Sequence, residues 1–146
     1  MMVKRIALVL AGAFLLFTLW YYFKNPLTTK ATIAGHVFYV EVAATPKARE
    51  QGLSGRQSLA QNEGMLFVYQ DQALHGFWMR GMNFPLDFIW IRDKTVVQLN
   101  KNVPSPLQGG SLEVLEPSVP VDMVLEVNAG TIDRLGIVPG DTIEIN

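Results

Sequence analysis

The sequence predicts a mainly β fold: a compact β-sandwich or jelly-roll-like barrel with two short helices, preceded by one N-terminal transmembrane helix. Three observations predict it. About eight short apolar runs, separated by Gly, Pro and Asp turns, fill the chain from residue 31 onward. Only two stretches carry helix start and stop signals, and both are brief. The one long uncharged run, Ile6 to Phe23, stands at the N-terminus behind Lys4 and Arg5.

That N-terminal run divides the chain into a membrane anchor at 1–24, a linker at 25–30 and a β domain at 31–146. Eighteen uncharged residues lie at the short end of what spans a bilayer, where roughly 20 are needed. Trp20-Tyr21-Tyr22-Phe23 suits the membrane interface, and the leading Lys4 and Arg5 place the N-terminus in the cytoplasm. The expected address is therefore a single-pass cell-membrane protein with an extracytoplasmic domain. The rival is a cleaved signal peptide and a secreted or periplasmic product. Bulky aromatics stand where a small-x-small cleavage site belongs, which favours the anchor.

The remaining chain is long enough for one domain. Apolar content of 49% and charged content of 17% suit an ordered globule plus a membrane segment. From Lys24 on, ten Lys and Arg face thirteen Asp and Glu, a net charge of −3. That balance argues against a nucleic-acid partner. With no cysteine there is no disulfide framework, thiolate metal site or thiol nucleophile.

Ala31 to Ile33 and His36 to Ala43 read as a hairpin over Ala34-Gly35, the second rich in Val, Phe and Tyr. Thr45-Pro46 is a capping hydroxyl followed by Pro at the first helical position, so Lys47 to Gln51 is a short helix stopped by Gly52. Ser54 to Glu63 is polar and irregular. Gly64 to Tyr69 is a strand whose apolar run suggests burial on both faces. The densest stretch follows: Phe77 to Ile91 holds two Trp, three Phe and two Met around Arg80 and Asp87. It reads as two strands, His75 to Met79 and Leu86 to Arg92, joined by a loop from Arg80 to Pro85. Thr95 to Lys101 returns antiparallel. Ser111 to Glu116 and Asp122 to Val127 are further strands, separated by Pro117 and Pro120. Thr131 to Leu135 is the second helix, ended by Gly136, and Thr142 to Ile145 is the last strand.

Five ordered blocks carry a resemblance: Gly52-Leu53-Ser54-Gly55-Arg56; Gly64-Met65-Leu66-Phe67; Phe77-Trp78-Met79 with Pro85-Leu86-Asp87; Val124 to Gly130; and Leu135-Gly136 through Pro139-Gly140-Asp141. With these the region from Ile33 to Ile145 resembles the DUF192 family, also called UPF0127. The resemblance implies a small jelly-roll-type domain, often preceded by a signal or anchor, and implies no reaction. Many relatives read Lys-Asn-Thr after the Trp-Met pair. This chain has Arg80-Gly81-Met82, which keeps only the positive charge.

Candidate site residues cluster around the aromatic stretch. Trp78, Phe77, Phe84, Phe88 and Trp90 either pack a core or line a groove, and Trp78, beside the loop, is the one expected to face a ligand. Asp87 is read first as a structural fastener for Arg80, Arg56 or Arg49. Arg49 and Arg56 flank the Gly52 turn, where they suit an anionic ligand or tie down the short helix. The ligand-binding set is Arg49, Arg56, Trp78, Met79, Arg80, Asp87 and Glu126. No H-E-x-x-H, G-x-S-x-G or P-loop is present, and no catalytic residue, metal ligand or cofactor is assigned.

The sequence thus points to a non-catalytic binding module for a small ligand, glycan or envelope partner. Two alternatives stand beside it. One is a hydrolase or lyase using Asp87 and Glu126 with an Arg, which requires the two carboxyls to converge. The other is a Cu(I)-handling domain using His75, Met79 and Met82, soft ligands that suit that ion outside the cytoplasm. His75 and Met79 on one strand would stand about 13 Å apart at strand rise, and Met is an ordinary core filler.

Overall fold

The computed structural model describes residues 29–146. The expected anchor at 1–24 and most of the linker lie outside these residues. Among those described, no helix is long and apolar enough to cross a membrane.

Strands β1 (Thr29–Ile33) and β2 (His36–Ala43) form the first hairpin. Its turn is Ala34-Gly35, with φ of 50° and 78°. Two successive positive φ values give the turn whose twist matches the flanking strands. Helix α1 (Pro46–Gln51) follows the start and stop signals closely. The Thr45 hydroxyl accepts from the Ala48 N–H at 3.2 Å, and the Gly52 N–H donates to the Ala48 carbonyl at 2.9 Å. This crossover and the polar segment after it return the chain to start β3 (Glu63–Ala73) parallel to β2.

Strands β4 (Leu86–Arg92) and β5 (Thr95–Val103) form the second hairpin, turned by Asp93 and Lys94 at φ 50° and 64°. Strand β6 (Val121–Asn128) lies between β3 and β4 and runs antiparallel to both. Helix α2 (Thr131–Leu135) leads to β7 (Ile143–Ile145), which pairs with β1.

Among the described residues the seven strands belong to one sheet in the order β5-β4-β6-β3-β2-β1-β7. The jelly-roll expectation is therefore right in being mainly β with two short helices, and is corrected from two packed sheets to one curled sheet. The curl brings its two edges together at Thr95 and Thr142. The Val96 N–H donates to the Asp141 carbonyl at 2.8 Å, and the Ile143 N–H to the Lys94 carbonyl at 2.9 Å.

Side-chain alternation sorts the core into two layers. The concave face holds Ile33, Phe38, Val40, Leu66, Ile89, Ile91, Leu125 and Val127, closed by Ile132, Ile137 and Ile143. The convex face of β3, β6 and β4 holds Met65, Phe67, Val124, Phe88 and Trp90, covered by Leu53, Phe77, Met79 and Met82. The Trp90 indole N–H donates to Asn100 Oδ1 at 2.7 Å, which gives a fully buried indole its partner.

The two predicted strands at His75 to Met79 and Ser111 to Glu116 are corrected. They meet at a single rung, Phe77 with Leu115, through N–H···O bonds of 2.8 and 2.7 Å. The physical reason is that β4 has no free edge: β5 takes one and β6 the other. Residues 74–78 instead cross over the convex face, which is why Phe77 stands edge-on to Phe67, Phe88 and Trp90 at 4.8, 5.9 and 5.4 Å. Gly76 permits the crossing, because a Cβ there would lie 2.7 Å from Val114 Cγ1.

Candidate functional site

The covering of the convex face is incomplete. Helix α1 and the Gly52-Leu53-Ser54 turn approach from one side, and Gly76-Phe77-Trp78 from the other. Between them lies a cleft of about 370 Å³ over β3 and β6. Phe67, Tyr69, Phe77 and Met82 supply apolar wall, Trp78 stands at the opening with 45% of its surface exposed, and Arg49, Glu50, Gln51 and Ser54 supply polar rim. The Gly52 turn fits against this wall because it carries no side chain. A Cβ there would sit 3.4 Å from Phe67 Cζ, and the backbone has φ of 49°.

Glu126 is the buried polar group of the cleft. It interrupts the apolar run of β6 at the convex face, opposite Met65 of β3 and Phe88 of β4, and is 5% exposed. Among the described residues its carboxyl has neither a hydrogen bond nor an ion pair, so burial alone pushes it up to about 8. At neutral pH such a group is mainly the uncharged acid, a donor and an acceptor together.

Arg49 is already engaged at the rim. Its Nη1 donates to the carbonyls of Ala44 (2.8 Å) and Val68 (3.0 Å), and its guanidinium lies 4.7 Å over the Tyr69 ring. His75 stacks on Tyr69 with centroids 3.4 Å apart. Burial pushes the Tyr69 hydroxyl upward, with Arg49 opposing. The Arg49 guanidinium and the His75 imidazole thus both contact the Tyr69 ring, which lines the cleft.

Arg49, Trp78 and Glu126 of the sequence-derived set therefore line one cavity. The other four have different surroundings. Arg56 makes a two-pronged pair with Glu41, both N–O distances 2.7 Å, and its carbonyl accepts from Asn83 Nδ2 at 2.8 Å. The bidentate bond with Arg56 holds the Glu41 carboxyl below its ordinary value. Met79 is buried in the core at 1% exposure. Arg80 is exposed, and its carbonyl accepts from the Ser54 hydroxyl at 3.0 Å.

Asp87 is a fastener, but for backbone amides instead of an arginine. It is fully buried, and its carboxylate accepts from the N–H groups of Asn102 (2.7 Å), Gly130 (3.2 Å) and Ile132 (2.8 Å). These bonds tie β5 to the start of α2, whose flanking Gly130 has no side chain to cap it. Asp87 thus faces the concave side and Glu126 the convex side, so the convergence required of a two-carboxylate centre does not occur. His75, Met79 and Met82 likewise divide: both Met side chains pack in the convex core, while the His75 ring lies on Tyr69 with Nε2 3.2 Å from the Asp71 carbonyl.

The sequence reading missed Gln51, Ser54 and Tyr69 as cleft residues. Gln51 and Ser54 stand beside the Gly52 stop, and a helix stop at a sheet's open face is the signal that points to them. Tyr69 gives no such signal, since its place depends on residues 74–78 crossing the convex face instead of pairing as a strand.

Residues 28–145 match the model of the family DUF192, described as "Uncharacterized ACR". No curated protein matches the chain significantly. Two crystal structures are similar to it. One is of a candidate transcription regulator from Sinorhizobium meliloti 1021: 36% identity, TM-score 0.72, covering 80% of this chain and 91% of that one. The other is of a protein of unknown function from Novosphingobium aromaticivorans DSM 12444: 35% identity, TM-score 0.73, covering 79% and 83%.

Proposed function

The chain belongs to the DUF192 family, and on that footing we propose that it is a membrane-anchored, extracytoplasmic, non-catalytic binding module whose cleft takes a small ligand. The observation that carries this reading is the joint placement of Trp78, Arg49 and Glu126 on one cavity of about 370 Å³. Pockets that hold small molecules combine an apolar wall with a few convergent polar groups and a perturbed titratable residue. This cleft has all three. Its half-exposed Trp78 is the kind of ring that a ligand covers, because a bare indole face gains from burial. The separation of Asp87 from Glu126 supports binding over acid–base chemistry.

The address rests on the charge and aromatic pattern of residues 1–24. A glycan or an envelope protein presenting a small side chain fits the same cleft, with Trp78 as its stacking surface. A thermal-shift screen of the full chain against neutral, anionic and cationic small molecules tests the reading. The expected result is a rise in Tm for one chemical class that is absent in Trp78→Ala. No rise for any class, with Trp78→Ala unchanged throughout, overturns it.

A further inference from the structure

We propose that the cleft binds a small organic ammonium ion, its nitrogen paired with Glu126 and its apolar arm held between Trp78 and Phe67. The proposal rests on the cleft-binding reading and specifies its ligand.

Three polar side chains of the cleft are already engaged within the protein. Arg49 Nη1 is committed to two carbonyls, and the guanidinium lies over Tyr69. The Gln51 amide donates to the Ser54 carbonyl, and the Ser54 hydroxyl donates to the Arg80 carbonyl. Each of these three side chains is thereby anchored within the protein. At the buried end stands Glu126, 5% exposed and without a partner among the described residues. An unpaired buried carboxyl costs several kcal/mol if charged. It persists at a cleft floor as the neutral acid, and a cation entering the cleft makes the ionised form favourable again.

The walls suit such a cation. Phe67, Tyr69, Phe77 and Trp78 line the cavity, and aromatic rings attract organic cations more strongly than water-like solutes. Tyr69 already has Arg49 on it and His75 against it, which leaves Trp78 as the open ring. Among the described residues the charged and titratable groups around Glu126 are few. Arg49 and Glu50 come from α1, Tyr69 comes from β3, and His75 lies beyond the Tyr69 ring. At its register position β4 offers only Phe88, and β3 only Met65. Arg49 and Glu50 carry opposite charges, and the Glu116 carboxyl stands against Gly76 of the lining, so these groups leave no excess positive charge to oppose a cation at Glu126.

Binding then moves a proton in a definite direction. The ligand arrives as R–NH3+, Glu126 loses its proton to solvent, and an ion pair forms with no bond made or broken on the ligand. Isothermal titration calorimetry of the full chain with benzylammonium, in two buffers of different ionisation enthalpy at pH 7, reads this directly. We expect release of about one proton per ligand. Benzyl alcohol, the neutral analogue, should bind at least about tenfold more weakly. Glu126→Gln should erase the benzylammonium advantage and the proton release while staying folded with a Tm at pH 7 at or above the parent's, since the amide is neutral in the folded and unfolded chain alike. Trp78→Ala should weaken both ligands.

Equal binding of the two ligands, or full retention of benzylammonium affinity by Glu126→Gln, overturns the ammonium assignment. If benzyl alcohol then still binds in a Trp78-dependent way, the cleft-binding reading survives it. Absence of binding by both, with no class active in the thermal-shift screen, overturns both. A third ligand, Nα-acetyl-lysine methylamide, identifies the source of the ammonium. Binding equal to that of benzylammonium assigns it to a lysine of a partner protein, and weaker binding assigns it to a free amine; either supports the proposal.

Discussion

Asp87 and Glu126 stand one rung apart on neighbouring strands, and so on opposite faces of the sheet. Asp87 pairs with Val127 and Phe88 with Glu126. A displacement of one residue in a strand reverses the direction of the side chain. The two buried acids of β4 and β6 thereby acquire opposite roles. Asp87 is saturated by three amides, while Glu126 has no partner among the described residues.

For Asp87 the consequence is structural. Asp87→Ala leaves three amides without their acceptor, two of them at the start of α2. We expect a loss of about 3–5 kcal/mol, since each bond to a charged acceptor is worth roughly 1.5–3 kcal/mol and such losses overlap. Urea unfolding followed by circular dichroism checks this. A change under about 1 kcal/mol would show that the amides find other partners.

Glu126 gives a pH dependence of opposite sense to the usual carboxylate. Its folded value, about 8, lies above the ordinary 4.5. Between those two values the folded chain holds a proton that the unfolded chain has lost, so stability falls as pH rises through this window. The slope from this group approaches about 1.4 kcal/mol per pH unit. Denaturation at several pH values should show the decline in the parent chain and its absence in Glu126→Gln. Parallel profiles for the two would contradict the assignment.

The Arg56–Glu41 pair acts the other way and weakly. Glu41 is held below its ordinary value by the Arg56 bond, so its contribution is present at neutral pH and is lost as pH falls below about 4.5 through the lowered value. With side chains 34% exposed, solvent screens the pair. Glu41→Gln should cost about 0.5–1 kcal/mol at pH 7, and less at high salt. A loss independent of salt would mean that packing, not charge, is responsible.

Trp90 tests the convex core. Its indole N–H has Asn100 Oδ1 as partner while the ring is fully buried. Asn100→Leu removes the acceptor and should destabilise by about 1–3 kcal/mol. Thermal unfolding measures it, and an unchanged Tm would indicate that the indole has found another acceptor.

Much of this fold is legible in the sequence. Thr45-Pro46 and Gly52 define α1, and Val-rich alternation defines β2, because capping and pairing are local physics. The near-continuous apolar run from Gly64 to Tyr69 announces a strand buried on both faces, and Gly64 to Phe67 of β3 are buried. What fails is the assignment of 75–79 as a strand. Its composition is that of one, but whether it finds an edge depends on β6 inserting from some forty residues downstream to pair with β4. The parallel pairing of β2 with β3 is hidden for the same reason. In the site, Glu126 is visible as the one charge inside Val124-Leu125-Glu126-Val127. Its separation from Asp87 is not visible, because only the register between β4 and β6 decides it.

The most direct test of the cleft as the binding site is a crystallographic screen of the protein against small ammonium and neutral fragments. We expect density between Trp78 and Glu126, with the fragment nitrogen within hydrogen-bond distance of the carboxyl. Fragments found only elsewhere, with the cleft occupied by water alone across the screen, would contradict the account.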